Sequence, residues 1–199
     1  MTILSEQTAK TLLTKVLKYS KADAIECNLD GAKGGNIRYA RNTVSTAGEE
    51  SDVVLAVQSS FGKRTSLEKV VRRSEELAKL APENEEFMPI FGKQEYEKSN
   101  TYFESTAKVT PEDRAQAAQN SIAPSKKDKL VAAGFLEENT RFSAIMNSAG
   151  LFAYNTSTNV DFSVTIRTED GKGSGWVTRN YSDVKLLDTA KASSIAIHK

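Results

Sequence analysis

Residues 142–181, FSAIMNSAGLFAYNTSTNVDFSVTIRTEDGKGSGWVTRNY, decide the fold. Val160, Phe162, Val164 and Ile166 alternate with Asp161, Ser163, Thr165 and Arg167, the period-two pattern of a strand with one dry face and one wet face. In the strand before it Phe142, Ala144 and Met146 share a face. Asn147-Ser148-Ala149-Gly150 then supplies the polar and glycine residues of a tight reversal, and a short strand over 151–154 follows. Asp170-Gly171, with Gly173 and Gly175, makes the next turn. Trp176-Val177 opens a further strand before Ser182, which reads as a helix cap. The stretch is a β-meander, and an antiparallel sheet with one face covered by helices is the simplest fold that accommodates it.

Outward from the meander, the sequence supplies the covering helices. Ser5 caps a helix over 6–20 whose stripe is Ala9, Leu12, Leu13, Val16 and Leu17. A strand over 22–29, a glycine-rich turn over 30–35 and a strand over 36–41 follow. Gly31, Gly34 and Gly35 lack the spacing of a phosphate-binding loop and precede no helix, so they read as hairpin glycines. Residues 52–61 are apolar on both faces, as in a central strand. Ser66 reads as the cap of a second helix with Leu67, Val70, Val71, Ser74, Leu77, Ala78 and Ala81 in its stripe. Residues 82–108 have no sustained period but carry seven aromatic or large apolar anchors, which predicts a connector packed onto the surface. Thr110-Pro111-Glu112-Asp113 starts a helix that ends near Pro124. Lys126, Lys127 and Lys129 precede a strand over 130–136, and a last helix runs from Ser182 to about Ile197.

The order of elements repeats. The expected fold is α+β, with antiparallel or mixed sheets covered by helices and two similar helix-β-β-β-helix halves, 1–81 and 109–199, joined by the connector 82–108. Gly62-Lys63 corresponds to Gly171-Lys172 and Ser66 to Ser182, so the first half is short by one strand. Either a deletion or an absent stretch is expected between Arg64 and Thr65.

The chain has 199 residues, 39% of them hydrophobic, enough for a sizeable core. Its 27 basic and 26 acidic residues leave a charge of +1, which gives no electrostatic basis for binding nucleic acid or an anionic membrane. Cys27, the single cysteine, sits in an apolar run and reads as a buried, inert thiol in a reducing compartment. The N-terminus lacks a basic segment followed by a long apolar core, and no apolar run approaches the length of a membrane span; a cytoplasmic location is expected. Zinc hydrolases need several imidazole, carboxylate or thiolate ligands, and Ser or Cys hydrolases need a positioned imidazole. The only histidine is His198, next to the last residue. Glu49-Glu50, Glu75-Glu76 and Glu137-Glu138 are adjacent in sequence, so the members of each pair point apart.

Four segments nonetheless resemble, in order, the N-terminal part of the TldD/PmbA family. They are Asn36-Ile37-Arg38-Tyr39-Ala40-Arg41-Asn42, the stretch from Ser66 to Ala78, Ala144-Ile145-Met146-Asn147-Ser148-Ala149-Gly150, and Gly173-Ser174-Gly175-Trp176. The resemblance implies the N-terminal region of a longer architecture that continues into a C-terminal β-rich domain. The family was named for modulation of DNA gyrase, and some members are metallopeptidases with an HExxxH helix and a cysteine ligand beyond the region matched here. Neither His198 nor Cys27 corresponds to those ligands. No catalytic, cofactor-binding or metal residue is therefore assigned in this chain, and zinc is expected only in a TldD-type partner or a C-terminal region. The chain is more similar to the PmbA-type branch, which lacks the metal motif. The resemblance further implies cytoplasmic peptide processing, a homo- or hetero-dimer with a TldD/PmbA-type subunit, and a chamber that admits unfolded peptides. The other reading is a non-enzymatic binding or regulatory module, such as a modulator of DNA gyrase; the charge balance argues against DNA as its ligand.

Overall fold

The computed structural model of the protein describes residues 3–68 and 70–199, with the backbone alone at Leu67 and Glu68. The elements are α1 (Glu6–Lys18), β1 (Ala24–Ala40), β2 (Thr43–Phe61), β3 (Arg64–Glu68), α2 (Val71–Leu80), α3 (Glu104–Ala107), α4 (Pro111–Lys127), β4 (Leu130–Asn147), β5 (Phe152–Thr168), β6 (Ser174–Tyr181) and α5 (Thr189–Ile197). Among the described residues six strands form one antiparallel sheet in the order β3-β2-β1-β4-β5-β6. The α+β fold is as expected. No helix among the described residues is long and apolar enough to cross a membrane.

The strands are longer than periodicity indicated. Residues 30–35 are not a turn: β1 runs straight through them, and its glycines make room for side chains from neighbouring elements. A Cβ at Gly31 would lie 2.2 Å from the Phe142 ring, and one at Gly35 would lie 2.1 Å from the Arg114 guanidinium. Glycine here is a packing requirement, as close approach to a strand demands. The reversal falls instead at Arg41 and Asn42, with φ of 50° and 57°, the left-handed pair of a two-residue hairpin. The Asn42 side chain locks it, accepting from the Ala132 amide at 2.7 Å and donating to the Leu130 carbonyl at 2.8 Å. β4 likewise joins 130–136 to the Phe142 strand, and β5 joins 151–154 to the Val160 strand. β2 is not central but lies one strand from the edge, and Val54 is exposed.

Nothing is absent between Arg64 and Thr65. Phe61 pairs with Arg64 and Ser60 with Thr65, closing a hairpin over Gly62-Lys63, so β3 is the strand that the repeat required. Ser66 therefore sits in β3 and caps no helix; its carbonyl accepts from the Ser74 hydroxyl, and α2 starts at Val71 without a side-chain cap. The side chain of Leu67, expected in the α2 stripe, lies outside the described residues. Ser5 and Thr110 do cap α1 and α4, the latter with the reciprocal Asp113 bond of a capping box. α4 continues past Pro124 to Lys127, because losing one backbone bond does not end a helix that still buries Ser125. The last helix begins at Thr189, capped by Asp188 rather than Ser182, whose carbonyl is taken by the Thr106 and Thr158 hydroxyls.

The chain packs as two compact units. The first comprises the residues up to Ala32, Asp52–Asn100 and Arg141–Thr156. Its core joins Ala9 and Leu13 of α1 to Ile25, Cys27 and Leu29 of β1, Val57 of β2, and Phe142, Ala144 and Met146 of β4. Glu75 is buried midway along α2, where its carboxylate accepts from Ser20, the Lys21 amide and Arg72. The second unit comprises Lys33–Ser51, Thr101–Thr140 and Ser157–Lys199. Val160, Phe162, Val164 and Ile166 bury the face that their alternation indicated, against Ile37, Tyr39, Ile122 and Ala196 among others. A line of buried hydroxyls ties this unit together: Tyr39 donates to Ser121 at 2.8 Å, and Ser121 meets Ser193 at 2.7 Å. Burial pushes the Tyr39 phenol up to about 12 against the smaller effect of its bond to Ser121, so the group stays a donor at neutral pH.

Candidate functional site

The first unit holds an open groove of about 700 Å³. Its floor follows from strand alternation. Ile25, Cys27 and Leu29 turn into the core, so Asn28 and Asp30 of β1 face the other way, as do Ser143 and Ile145 of β4 and Ala153 and Asn155 of β5. Residues 94–99 of the connector form a wall, held where the Ser99 hydroxyl donates to Asn155 Oδ1 at 2.6 Å. Phe152 and Tyr154, from the opposite face of β5, and Glu6 of α1 complete the lining, so the groove passes over the edge of β5. Along this edge β6 pairs with β5 only from Val160 to Arg167, and the connector takes over from there, the Thr158 amide donating to the Thr101 carbonyl at 2.9 Å.

The lining is chemically mixed. Amides, hydroxyls and carboxylates alternate with apolar side chains, and it contains no histidine or cysteine. The Tyr154 hydroxyl donates to the Leu4 carbonyl at 2.7 Å, and its ring stacks on Phe142 at 6.3 Å, which fixes that end of the groove. Burial, with the nearby Glu6 carboxylate, raises the Tyr154 phenol above its ordinary range.

In the second unit the notable chemistry is a buried ion pair. Arg114, only 3% exposed, donates to Glu138 Oε1 at 2.7 Å and to Glu49 Oε1 at 3.0 Å. Neither Arg114 Nε nor Glu138 Oε2 has a hydrogen-bond partner among the described residues. Burial pushes the Glu138 carboxyl up to about 7, opposed by the Arg114 guanidinium. Read along the sequence, Glu49-Glu50 and Glu137-Glu138 are pairs whose members diverge; in space one member of each converges on the same arginine. The signal that could have found this cluster is Gly34-Gly35, a glycine pair inside a strand that leaves space for a large neighbour.

Among sequence families, the model of the PmbA/TldA metallopeptidase central domain matches residues 98–198. The chain belongs to the PmbA/TldD family. No curated protein sequence matches it. TldE from Thermococcus kodakarensis has the same fold, with a TM-score of 0.83 at 15% identity over 98% of this chain and 47% of that one. A proposed modulator of a DNA gyrase from Thermotoga maritima MSB8 gives 0.80 at 13% identity over 98% and 47%. A similar protein from Bacteroides thetaiotaomicron VPI-5482 gives 0.75 at 13% identity over 98% and 50%. The PmbA/TldD chain described here thus spans about half the length of these structures.

The described residues of this PmbA/TldD chain hold no ligand set of the kind a metallopeptidase zinc centre uses. Among the described residues no group of three His, Cys, Asp or Glu side chains could hold a metal. His198 is exposed at the end of α5, its Nδ1 2.7 Å from the Ser194 carbonyl. Cys27 is buried in the first unit's core, where burial, reinforced by the Glu26 charge, pushes the thiol up to about 12; a thiol so held is a poor ligand.

Proposed function

We propose that this chain is a substrate-handling part of a cytoplasmic peptide-processing assembly of the PmbA/TldD kind, which holds unfolded peptide and supplies no catalytic group of its own. The observation that carries the reading is the groove over the edge of β5. An extended peptide is the guest that suits a strand edge, because it can offer main-chain groups to the strand while its side chains alternate between two faces. Amide and hydroxyl groups at Asn28, Ser143 and Asn155 are of the kind that hold a peptide backbone without reading its sequence. A fluorescent, unstructured peptide should bind the chain saturably and remain intact, with or without added zinc. Chelator-sensitive cleavage by this chain alone would overturn the non-catalytic part, and absence of binding would overturn the whole.

The assembly we propose is a dimer, with a second copy or a TldD-type subunit. Leu80, Met88 and Phe91 in and around the connector are between 72% and 81% exposed, more apolar surface than a solvated loop needs. Phe91→Glu should shift the chain from dimer to monomer in sedimentation without loss of fold, since Asn147 holds the Phe91 carbonyl and not its ring. A wild-type chain that sediments only as monomer at high concentration would overturn the dimer.

A further inference from the structure

We infer that the groove of the first unit selects extended peptides that carry a cationic side chain, lysine or arginine, over neutral or acidic ones. This deepens the peptide reading above and rests on it. The groove supplies the space, and its charge supplies the selection. Glu6, Asp30 and Glu97 reach it from three separate elements, α1, β1 and the connector, against the single ammonium of Lys98. All three carboxylates are exposed, and none forms an ion pair among the described residues, so their charge is available to a guest rather than spent within the fold. The chain's overall charge is +1, so the excess of acid groups in this groove does not simply reflect an acidic chain.

Aromatic surface points the same way. The Phe152 ring, part of the lining, already takes the Lys10 ammonium at 5.1 Å from its centroid, which shows that this ring accepts a cation. Even with Lys10 counted, carboxylates outnumber ammonium groups around the groove. Tyr96, more than half exposed on the connector wall, offers a second ring to the alkyl stem or guanidinium of a bound side chain. An acidic guest would meet three carboxylates with only Lys98 and Lys10 to offset them, so repulsion sharpens the selection.

The test is fluorescence anisotropy of the 199-residue chain with three labelled, unstructured peptides of one length. They are a Gly/Ser peptide with two lysines, the same peptide with two glutamines, and the same with two glutamates. The lysine peptide should bind about tenfold tighter than the glutamine peptide at about 0.1 M ionic strength, and the advantage should shrink towards about 1 M, where screening is strong. Asp30→Asn with Glu6→Gln, both at exposed positions, should remove most of that advantage, bringing the lysine peptide to within about twofold of the glutamine peptide measured on the same variant. Equal binding of the three peptides, or a lysine preference that survives the double variant, overturns the charge selection and leaves the peptide reading standing. Binding of none of them overturns both.

Discussion

Arg114→Met should destabilise the protein by about 3–5 kcal/mol, the cost of removing one partner from a buried ion pair. The side chains of Arg114 and Glu138 are 3% and 8% exposed, and the variant leaves the Glu138 carboxyl buried with no counter-charge. Glu49, at 60%, can turn to water and contributes little to the loss. Sign and pH follow from the raised carboxyl. Glu138 titrates at about 7 in the fold, against an ordinary 4.5, so its contribution to stability is fully present below about 4.5 and is lost as pH rises through 7. Without Arg114 nothing opposes the burial, and the loss extends to higher pH. The variant's deficit should therefore be smaller at pH 5, where the carboxyl is protonated with or without the arginine, and larger at pH 8. Urea unfolding followed by circular dichroism measures it, and adding Glu138→Gln should recover part of the loss at pH 8. A deficit under about 1 kcal/mol at pH 8 would show that the pair is wet.

Phe162→Ala should cost about 3–5 kcal/mol in the same measurement, from lost transfer energy and from the cavity left behind. Phe162 is 1% exposed in the second unit's core, on the face it shares with Val160, Val164 and Ile166. Its neighbours on the wet face give the contrast. Thr165 is only partly buried, and Thr165→Ala should change stability by less than about 0.5 kcal/mol. Equal effects at the two positions would mean that the register of β5 is one residue out.

The sequence by itself determined what period and capping chemistry can express. Alternation over Val160–Arg167 set the buried face of β5, Ser5 and the Thr110-Asp113 box set where α1 and α4 begin, and the resemblance pointed to the family whose model matches residues 98–198, a range that holds two of its four segments, 144–150 and 173–176. It also determined that a conventional hydrolytic site needing histidine has only His198 to draw on. Tertiary structure decided the rest, because the deciding quantities are distances between residues far apart in the chain. Gly31 and Gly35 look like turn glycines until Phe142 and Arg114 are seen to occupy the space beside them. Ser66 and Ser182 look like caps until Ser74, Thr106 and Thr158 claim their carbonyls. Strand length, too, was hidden wherever the neighbouring strand rather than the local pattern supplied the hydrogen bonds. The groove depends on where β6 stops alongside β5, and the buried Arg114 on two glutamates 89 positions apart in the numbering, Glu49 and Glu138, meeting one guanidinium. Periodicity reports which face of an element is dry; only the assembled sheet brings together the side chains that share a face.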